Sequence, residues 1–598
     1  MKASPFIYMK RLALVGLMTF AVFCAISCRL VQLHIIESPK YVAAIESQRF
    51  KLEQKRAKRG DITDIKGNLL ATSYSVITVA VDPTEVELQN PREEAKLCRL
   101  AEILNLPSSL VLEKCRKEYV SYENKDGIRV TKPRRYKVIQ KDVDEKTFEK
   151  IAALKIKGLT EDRKYIRKYP SEGLAAHVIG FVNKEGAPVC GAELMCEYYL
   201  KAQDGWILSE KDARKNEIPH LRTRDVPMSD GMNVELTIDV FLQEIAQREL
   251  QRIVEEYNPD NAAIIVSDPS TGYIGAMASY PSFDPNSYNN FPAENLKNFA
   301  ISSQVEPGST FKVVPIAAAL NEQLVTQDDT FDCSKSTASY KGRILKLPKE
   351  AHTMGVLSVR QIAEKSSNRG VAQLGIMMGE KKLYEYASLF GYGKRTNIGL
   401  SGEIPGTLNP VNKWDGLTIT RLPMGHAVAA TPLQMHCAMS AIANDGVYMQ
   451  PQLVRRVYFP KSGQEILFPP KRVRQAISGR TAKTMQSILT GVVGKDGTAQ
   501  RAAVEGYKVA GKTGTTQKII DNKYSTKNHV ASFTGFFPAD RPRLAITVVV
   551  DNPHSRGIGY GGIVAAPAFA SVARQAASYL GIQTDEEYEK VMAWKGIQ

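Results

Sequence analysis

The chain has 598 residues, enough for more than one domain, and its 43% hydrophobic and 24% charged residues are ordinary for globular protein. Its net charge of +16 suits an anionic partner: nucleic acid, a membrane surface or an acidic polymer. No zinc-finger spacing, P-loop or aromatic RNA-binding signature occurs, which argues against nucleic acid. Cys24, Cys28, Cys98, Cys115, Cys190, Cys196, Cys333 and Cys437 form no metal-ligand cluster, so no metal is expected. Cys98 with Cys115, or Cys190 with Cys196, either pair in an oxidising compartment or stay free; spacing leaves both open.

Lys2, Lys10 and Arg11 precede an uncharged run from Leu12 to Cys28, which the apolar segment 30–36 extends past Arg29. The expectation is a transmembrane anchor over 12–36 after a cytoplasmic tail of residues 1–11. The rival is a signal peptide cleaved after Ala25-Ile26-Ser27, with Cys28 as a lipid acceptor. Residues 49–59, from Arg49 to Arg59, are strongly basic: a solvated face, or a contact for anionic headgroups or polymer. Alternation around Lys66-Gly67-Asn68 predicts strand–turn–strand, and 91–156 reads as mostly helical. His177, among apolar residues, reads as a packed core histidine. Residues 37–230 are expected to form an elongated α+β module, with a boundary at 226–231.

Beyond it, a strand is predicted over 233–238, a helix over 241–257 and a β-hairpin from 262–267 and 273–279. A helix follows Pro307-Gly308 to about Leu320; Pro315 should kink it unless it lies close to the cap. A helix over 431–444, strands over 507–516, 530–537 and 544–550, and a closing helix over 565–580 complete the chain. Strands at both ends of 231–598 with helices between predict one α+β domain, a sheet carrying helical layers.

The chemistry is carried by Glu306-Pro307-Gly308-Ser309-Thr310-Phe311-Lys312. A serine hydroxyl is a weak nucleophile until a base takes its proton. Lys312, at i+3 from Ser309, lies one turn on and can be that base when neutral. A free lysine titrates near ~10.4, so burial or a neighbouring cation must lower it. N–H groups at the helix start can hold an oxyanion. Ser-x-x-Lys is a pattern that alone usually means nothing, but it occurs only here. Downstream, in order, come Ser366-Ser367-Asn368 and Lys512-Thr513-Gly514-Thr515, the second on a predicted strand. Ser287-Tyr288-Asn289 also fits Ser-x-Asn but precedes the nucleophile. Lys512 with the Thr513 and Thr515 hydroxyls suits a terminal carboxylate, and Gly514 lets a substrate backbone come close. The Thr515 N–H can complete an oxyanion hole with that of Ser309. Ser366 can pass a proton to a leaving amine, Asn368 can hold Lys312 and a substrate amide, and Lys512 can push Lys312 toward its neutral form.

Ser-x-x-Lys, Ser-x-Asn and Lys-Thr-Gly in this order resemble the trio of penicillin-binding proteins and serine β-lactamases. Over nearly its whole length the chain resembles class B penicillin-binding proteins, the D,D-transpeptidases of peptidoglycan synthesis. The segment Arg59-Gly60…Asn68…Leu70-Ala71 resembles the start of that family's N-terminal pedestal. Residues 280–286 and 306–312, Gly402-Glu403…Pro405-Gly406, Thr431-Pro432-Leu433-Gln434 and residues 511–515 resemble its transpeptidase domain. Glu306 and the sequence over 414–434 resemble the cell-division and sporulation branch. Two departures concern loop shape: Asn397 stands where the family commonly has glycine, and Met424-Gly425-His426 where it has Gly-x-Gly.

The resemblance implies a Ser309 acyl-enzyme formed from the penultimate D-alanine of a stem peptide, with release of the terminal D-alanine. An amine of a neighbouring stem peptide then resolves it into a cross-link. β-Lactams would acylate the same serine, and no metal or organic cofactor is implied. No glycosyltransferase-like region precedes the pedestal, so a polytopic membrane glycosyltransferase within the division complex is the implied partner. The bulk of the chain is expected outside the cell membrane on a single-pass anchor. The rivals are a D,D-carboxypeptidase or β-lactam hydrolase on the same fold, and a non-catalytic β-lactam sensor or wall scaffold.

Overall fold

The computed structural model describes residues 5–42, 50–123, 129–211, 217–350, 352–520, 523–554, 559–594 and 596. Lys2 and Arg49, counted above in the basic flank and the basic run, lie outside them. An apolar helix Pro5–Val31 continues as a π-helical turn Gln32–Ile36. The stretch Met9–Ile36, with mean hydropathy 2.1 and unburied by the rest of the chain, is long and apolar enough to cross a membrane. All eight cysteines are free thiols, so neither candidate pair is joined.

The chain divides into two compact units. The first takes Met1–Lys58, Ile77–Lys164 and Ala202–Asp230; the second takes Arg59–Val76, Tyr165–Lys201 and Gly231–Gln598. The division therefore does not fall at a single point near 226–231, because two short upstream segments pack into the second unit. Ile62 pairs in parallel with Val234. Buried Glu193 accepts from Arg59 at 2.8 Å and Arg167 at 2.7 Å, which ties the two segments to each other with charge-assisted bonds. In the first unit the expectation of mostly helix over 91–156 is half right. Helices Pro91–Ile103, Ser108–Lys114 and Glu145–Ala152 are present, but Tyr119–Glu123, Arg129–Pro133 and Lys137–Val143 are strands. Those charged stretches carry the β-branched and aromatic residues that pleated backbone accommodates, and charge alone does not distinguish the two states.

The second unit is built on a five-stranded antiparallel sheet of β1 (Asn261–Ser267), β2 (Ile274–Tyr280), β3 (Ala510–Ile520), β4 (Lys523–Phe537) and β5 (Leu544–Asp551). Its order is β2-β1-β5-β4-β3. Phe533 pairs with Val548 and Thr534 with Thr547, and neighbours along a strand face opposite ways. Phe533 stacks edge-on against Phe569 of helix Gly561–Leu580 at 4.7 Å. Thr547 meets His436 of helix Pro432–Ala443 at 3.0 Å. Helices thus cover both faces, which is why β5 over 544–550 is apolar on both sides apart from Thr547 rather than alternating. β3 is one of the two edge strands, and the functional turn packs against it.

Candidate active site

Gly308–Lys312 is one 3₁₀ turn leading into the helix Val313–Asn321. Ser309 therefore precedes the α-helix instead of opening it. In a 3₁₀ turn positions i and i+3 eclipse, so Ser309 and Lys312 still share a face. The helix is apolar on every side and buried, and it carries Lys312 into the interior. Pro315 is its third residue, where the missing N–H leaves no intrahelical bond unmade.

The second stretch is the connection between helices Val359–Glu364 and Asn368–Leu389. Ser366 adopts a left-handed φ of 58°, uncommon for a residue with a Cβ, and this turns both its carbonyl and its hydroxyl toward Lys312. Lys312 Nζ donates to Ser366 O at 2.5 Å, Asn368 Oδ1 at 2.6 Å and Ser366 Oγ at 3.2 Å, using all three of its protons when charged. Glu350 fixes this turn at the start of the following helix. Its carboxylate accepts from Ser367 Oγ at 2.6 Å, Asn368 N at 2.9 Å and Arg369 N at 2.8 Å, at the end of the helix that favours negative charge.

The third stretch is β3. Lys512 is fully buried, and its Nζ donates to Ser366 Oγ at 3.0 Å and Thr513 O at 3.4 Å. Thr513 Oγ1 meets Thr498 Oγ1 at 2.9 Å. Thr515 Oγ1 accepts from Gly561 N at 3.0 Å and keeps its own proton to donate. Gly514 is crowded by the protein itself: a Cβ there would lie 2.4 Å from Ser532 Oγ and 3.1 Å from Pro307 O. That glycine lets β3 lie close to the nucleophile turn.

Burial drives both lysines toward the free base. Lys312 is pushed down to about 7 by desolvation, against the opposing pull of Glu350. Lys512 is pushed well below the usual lysine value by desolvation and then by the charge of Lys312. The repulsion is mutual: whichever lysine is charged favours the neutral form of the other.

These groups surround a cleft of about 660 Å³, onto which Ser309, Ser366, Asn368, Thr513 and Thr515 open. Lys312 and Lys512 lie behind Ser366. The eight residues singled out in the sequence thus come together. The sequence reading missed Glu350, which lies outside every motif, and Thr498, whose hydroxyl meets that of Thr513. His426, read from the sequence as a change of loop shape, also reaches the cleft. Its Nδ1 lies 3.2 Å from Glu306 Oε2 and 3.1 Å from Tyr524 Oη, and Tyr524 Oη donates to Glu306 Oε1 at 3.2 Å. Its departure from the family pattern was the available signal. Asn397 keeps a left-handed φ of 62°, so the loop retains the backbone that glycine would give. Among the described residues, no group of His, Cys, Asp and Glu is gathered to hold a metal ion.

Comparison with known proteins agrees with this arrangement. The profile of the penicillin-binding protein transpeptidase domain matches residues 262–574, and that of the penicillin-binding protein dimerisation domain matches residues 54–188. The chain belongs to the penicillin-binding protein family, in its class B form. It is 33% identical to stage V sporulation protein D of Bacillus subtilis, over 99% of this chain and 90% of that one. It is 29% identical to the peptidoglycan D,D-transpeptidase FtsI of Escherichia coli, over 93% and 90%. It superposes on penicillin-binding protein 3 of Mycobacterium tuberculosis, solved with aztreonam, with a TM-score of 0.66 and 26% identity over 90% of this chain and 99% of that one. With its N-terminal apolar helix it is a membrane-anchored protein.

Proposed function

We propose that the protein is a peptidoglycan D,D-transpeptidase that cross-links stem peptides through an acyl-enzyme on Ser309. The observation that carries this reading is the convergence of Lys312 and Lys512 on the Ser366 hydroxyl, in the cleft onto which Ser309 opens. Neutral Lys312 takes the Ser309 proton, and Ser309 Oγ attacks the carbonyl of the penultimate D-alanine. The N–H groups of Ser309 and Thr515 hold the oxyanion. Ser366, touching both lysines, passes the proton to the departing D-alanine. Asn368 holds Lys312 and the substrate amide. Thr513 and Thr515, which line the cleft, receive the terminal carboxylate, with Lys512 behind Ser366 adding its positive field and Gly514 keeping the strand close. A second stem peptide's amine then takes the acyl group. No cofactor enters these steps.

The relatives bear division and sporulation names, which supports a role in septal wall synthesis. In the domain scheme that goes with this reading, residues 1–11 are a cytoplasmic tail and 12–36 the anchor. A pedestal over 37–230 then leads to the transpeptidase domain over 231–598, outside the cell membrane. A membrane glycosyltransferase supplies the glycan strands. β-Lactams acylate Ser309. Mass spectrometry of the penicillin-treated protein tests the core of this: the adduct is expected on the peptide containing Ser309. An unmodified protein, or an adduct elsewhere, overturns it.

A further inference from the structure

We infer that His426 accepts the proton that the acceptor amine sheds in the second half of this reaction. The inference rests on the reading just given and adds a residue to it. The need comes from the proton count. A stem-peptide amine arrives as an ammonium ion with three protons and ends as an amide with one. When its nitrogen attacks the acyl-enzyme, the new C–N bond forms and the bond from carbon to Ser309 Oγ breaks. One of the two released protons returns to Ser309 Oγ by way of Lys312. The other must leave before the nitrogen has a lone pair to attack with, and Lys312 is already engaged in carrying the first.

His426 is built to take it. It is held beside the nucleophile: Gly308 N donates to the carbonyl of Gly425, the residue before it, at 3.2 Å. Its ring lines the cleft that Ser309 also lines. The tautomer follows from the partners of Nδ1. Burial and the Glu306 carboxylate hold the Tyr524 phenol up at about 12, so it keeps its proton. That proton goes to Glu306 Oε1, so toward His426 the phenol oxygen can only accept. The other neighbour of Nδ1, Glu306 Oε2, is also an acceptor. Nδ1 therefore carries the hydrogen and Nε2 the lone pair. Among the described residues Nε2 has no hydrogen-bond partner, and Nδ1 lies 3.2 Å from Glu306 Oε2. The imidazolium that forms when Nε2 takes the proton then returns it to water. His426 supplements the Lys312–Ser366–Lys512 machinery, and its loss slows transfer without abolishing it.

The test uses the full chain in detergent, an N-acylated D-alanyl thioester as donor and D-alanine as the acceptor amine. Acylation of the serine and transfer to the amine are measured separately. In the His426→Gln variant, transfer is expected to fall relative to acylation by about 10²-fold, the lower end of what general acid–base catalysis supplies. His426→Gly should lose transfer similarly and regain it when imidazole is added, which a merely structural role would not do. A transfer-to-acylation ratio within twofold of wild type, or a loss in the glycine variant that imidazole leaves unchanged, overturns the inference and leaves the Ser309 reading standing. A wild-type protein that is not acylated at all overturns both.

Discussion

Lys312 and Lys512 aim their side-chain nitrogens at one oxygen, the Ser366 hydroxyl, at 3.2 Å and 3.0 Å. The arrangement makes their protonation interdependent. Acylation needs Lys312 neutral and Lys512 charged, which are the two forms that mutual repulsion allows together. The acid limb of the acylation rate is therefore expected near pH 7, where Lys312 gives up its proton, with the rate falling below it. The alkaline limb, where Lys512 discharges, should lie below the usual lysine range. Rates of labelled-penicillin acylation across pH check this. A rate flat from pH 5 to 9 would remove Lys312 as the base.

The same burial has a stability cost. Lys312 binds a proton more weakly in the fold than in the unfolded chain. Between about 7 and the ordinary lysine value the unfolded chain holds more protons, so stability rises with pH through that window, and below it the cost is fully present. Lys312→Met should remove this residue's share of the slope and leave that of Lys512. It should also abolish acylation. Thermal melts at pH 6 and pH 9 on both proteins measure the slope directly.

Glu350 pulls in the opposite electrostatic direction from Lys512. Its carboxylate raises the Lys312 value and ties down Ser367, Asn368 and Arg369. Glu350→Gln should shift the acid limb of acylation to lower pH. It should also lower stability by about 1–3 kcal/mol, since charge-assisted bonds to a helix start are weakened. An acid limb left in place would mean that the carboxylate does not reach Lys312 electrostatically.

Much of this site was legible in the sequence because its chemistry is local. Ser309 and Lys312 are three residues apart, and Ser366 and Asn368 are two apart. Lys512, Thr513, Gly514 and Thr515 are consecutive on one strand. Likewise β1, β2, β4 and β5 showed themselves as short apolar runs. What sequence could not show depends on partners far off in the chain. Glu350 matters only because Ser367 and Asn368 fold back onto it. Thr498 matters because it meets Thr513, and His426 because Glu306 and Tyr524 meet it. Upstream segments 59–76 and 165–201 are tied to each other through Glu193, a contact that no periodicity announces.

Thr498 offers a test of the carboxylate pocket. Its hydroxyl, 2.9 Å from that of Thr513, orients a group proposed to grip the substrate carboxylate. Thr498→Val keeps the shape and removes the bond. The expected outcome is a several-fold rise in KM for a D-alanyl peptide or thioester, corresponding to about 1 kcal/mol, with kcat changed less. A fall in kcat alone would place Thr498 in the chemical step instead.

Gly425 makes the sharpest structural prediction. It holds φ at 85°, and a Cβ there would lie 2.0 Å from the Gly308 carbonyl oxygen and 2.6 Å from its Cα, atoms of rigid backbone. The two turns touch because neither has a side chain at the crossing: Gly308 itself holds φ at 52°, and a Cβ on it would meet Thr516 Cγ2 at 2.3 Å. Gly425→Ala must push the residue 308 turn toward β3, which has no room to yield. The expected result is a loss of several kcal/mol in stability, from strain at positive φ combined with backbone overlap. Acylation should fall at least tenfold even at temperatures where the variant stays folded, because the displaced residue adjoins Ser309. Folding checked by circular dichroism alongside the acylation rate separates the two effects. A variant that melts and acylates like the wild type would show that the turns are not in contact.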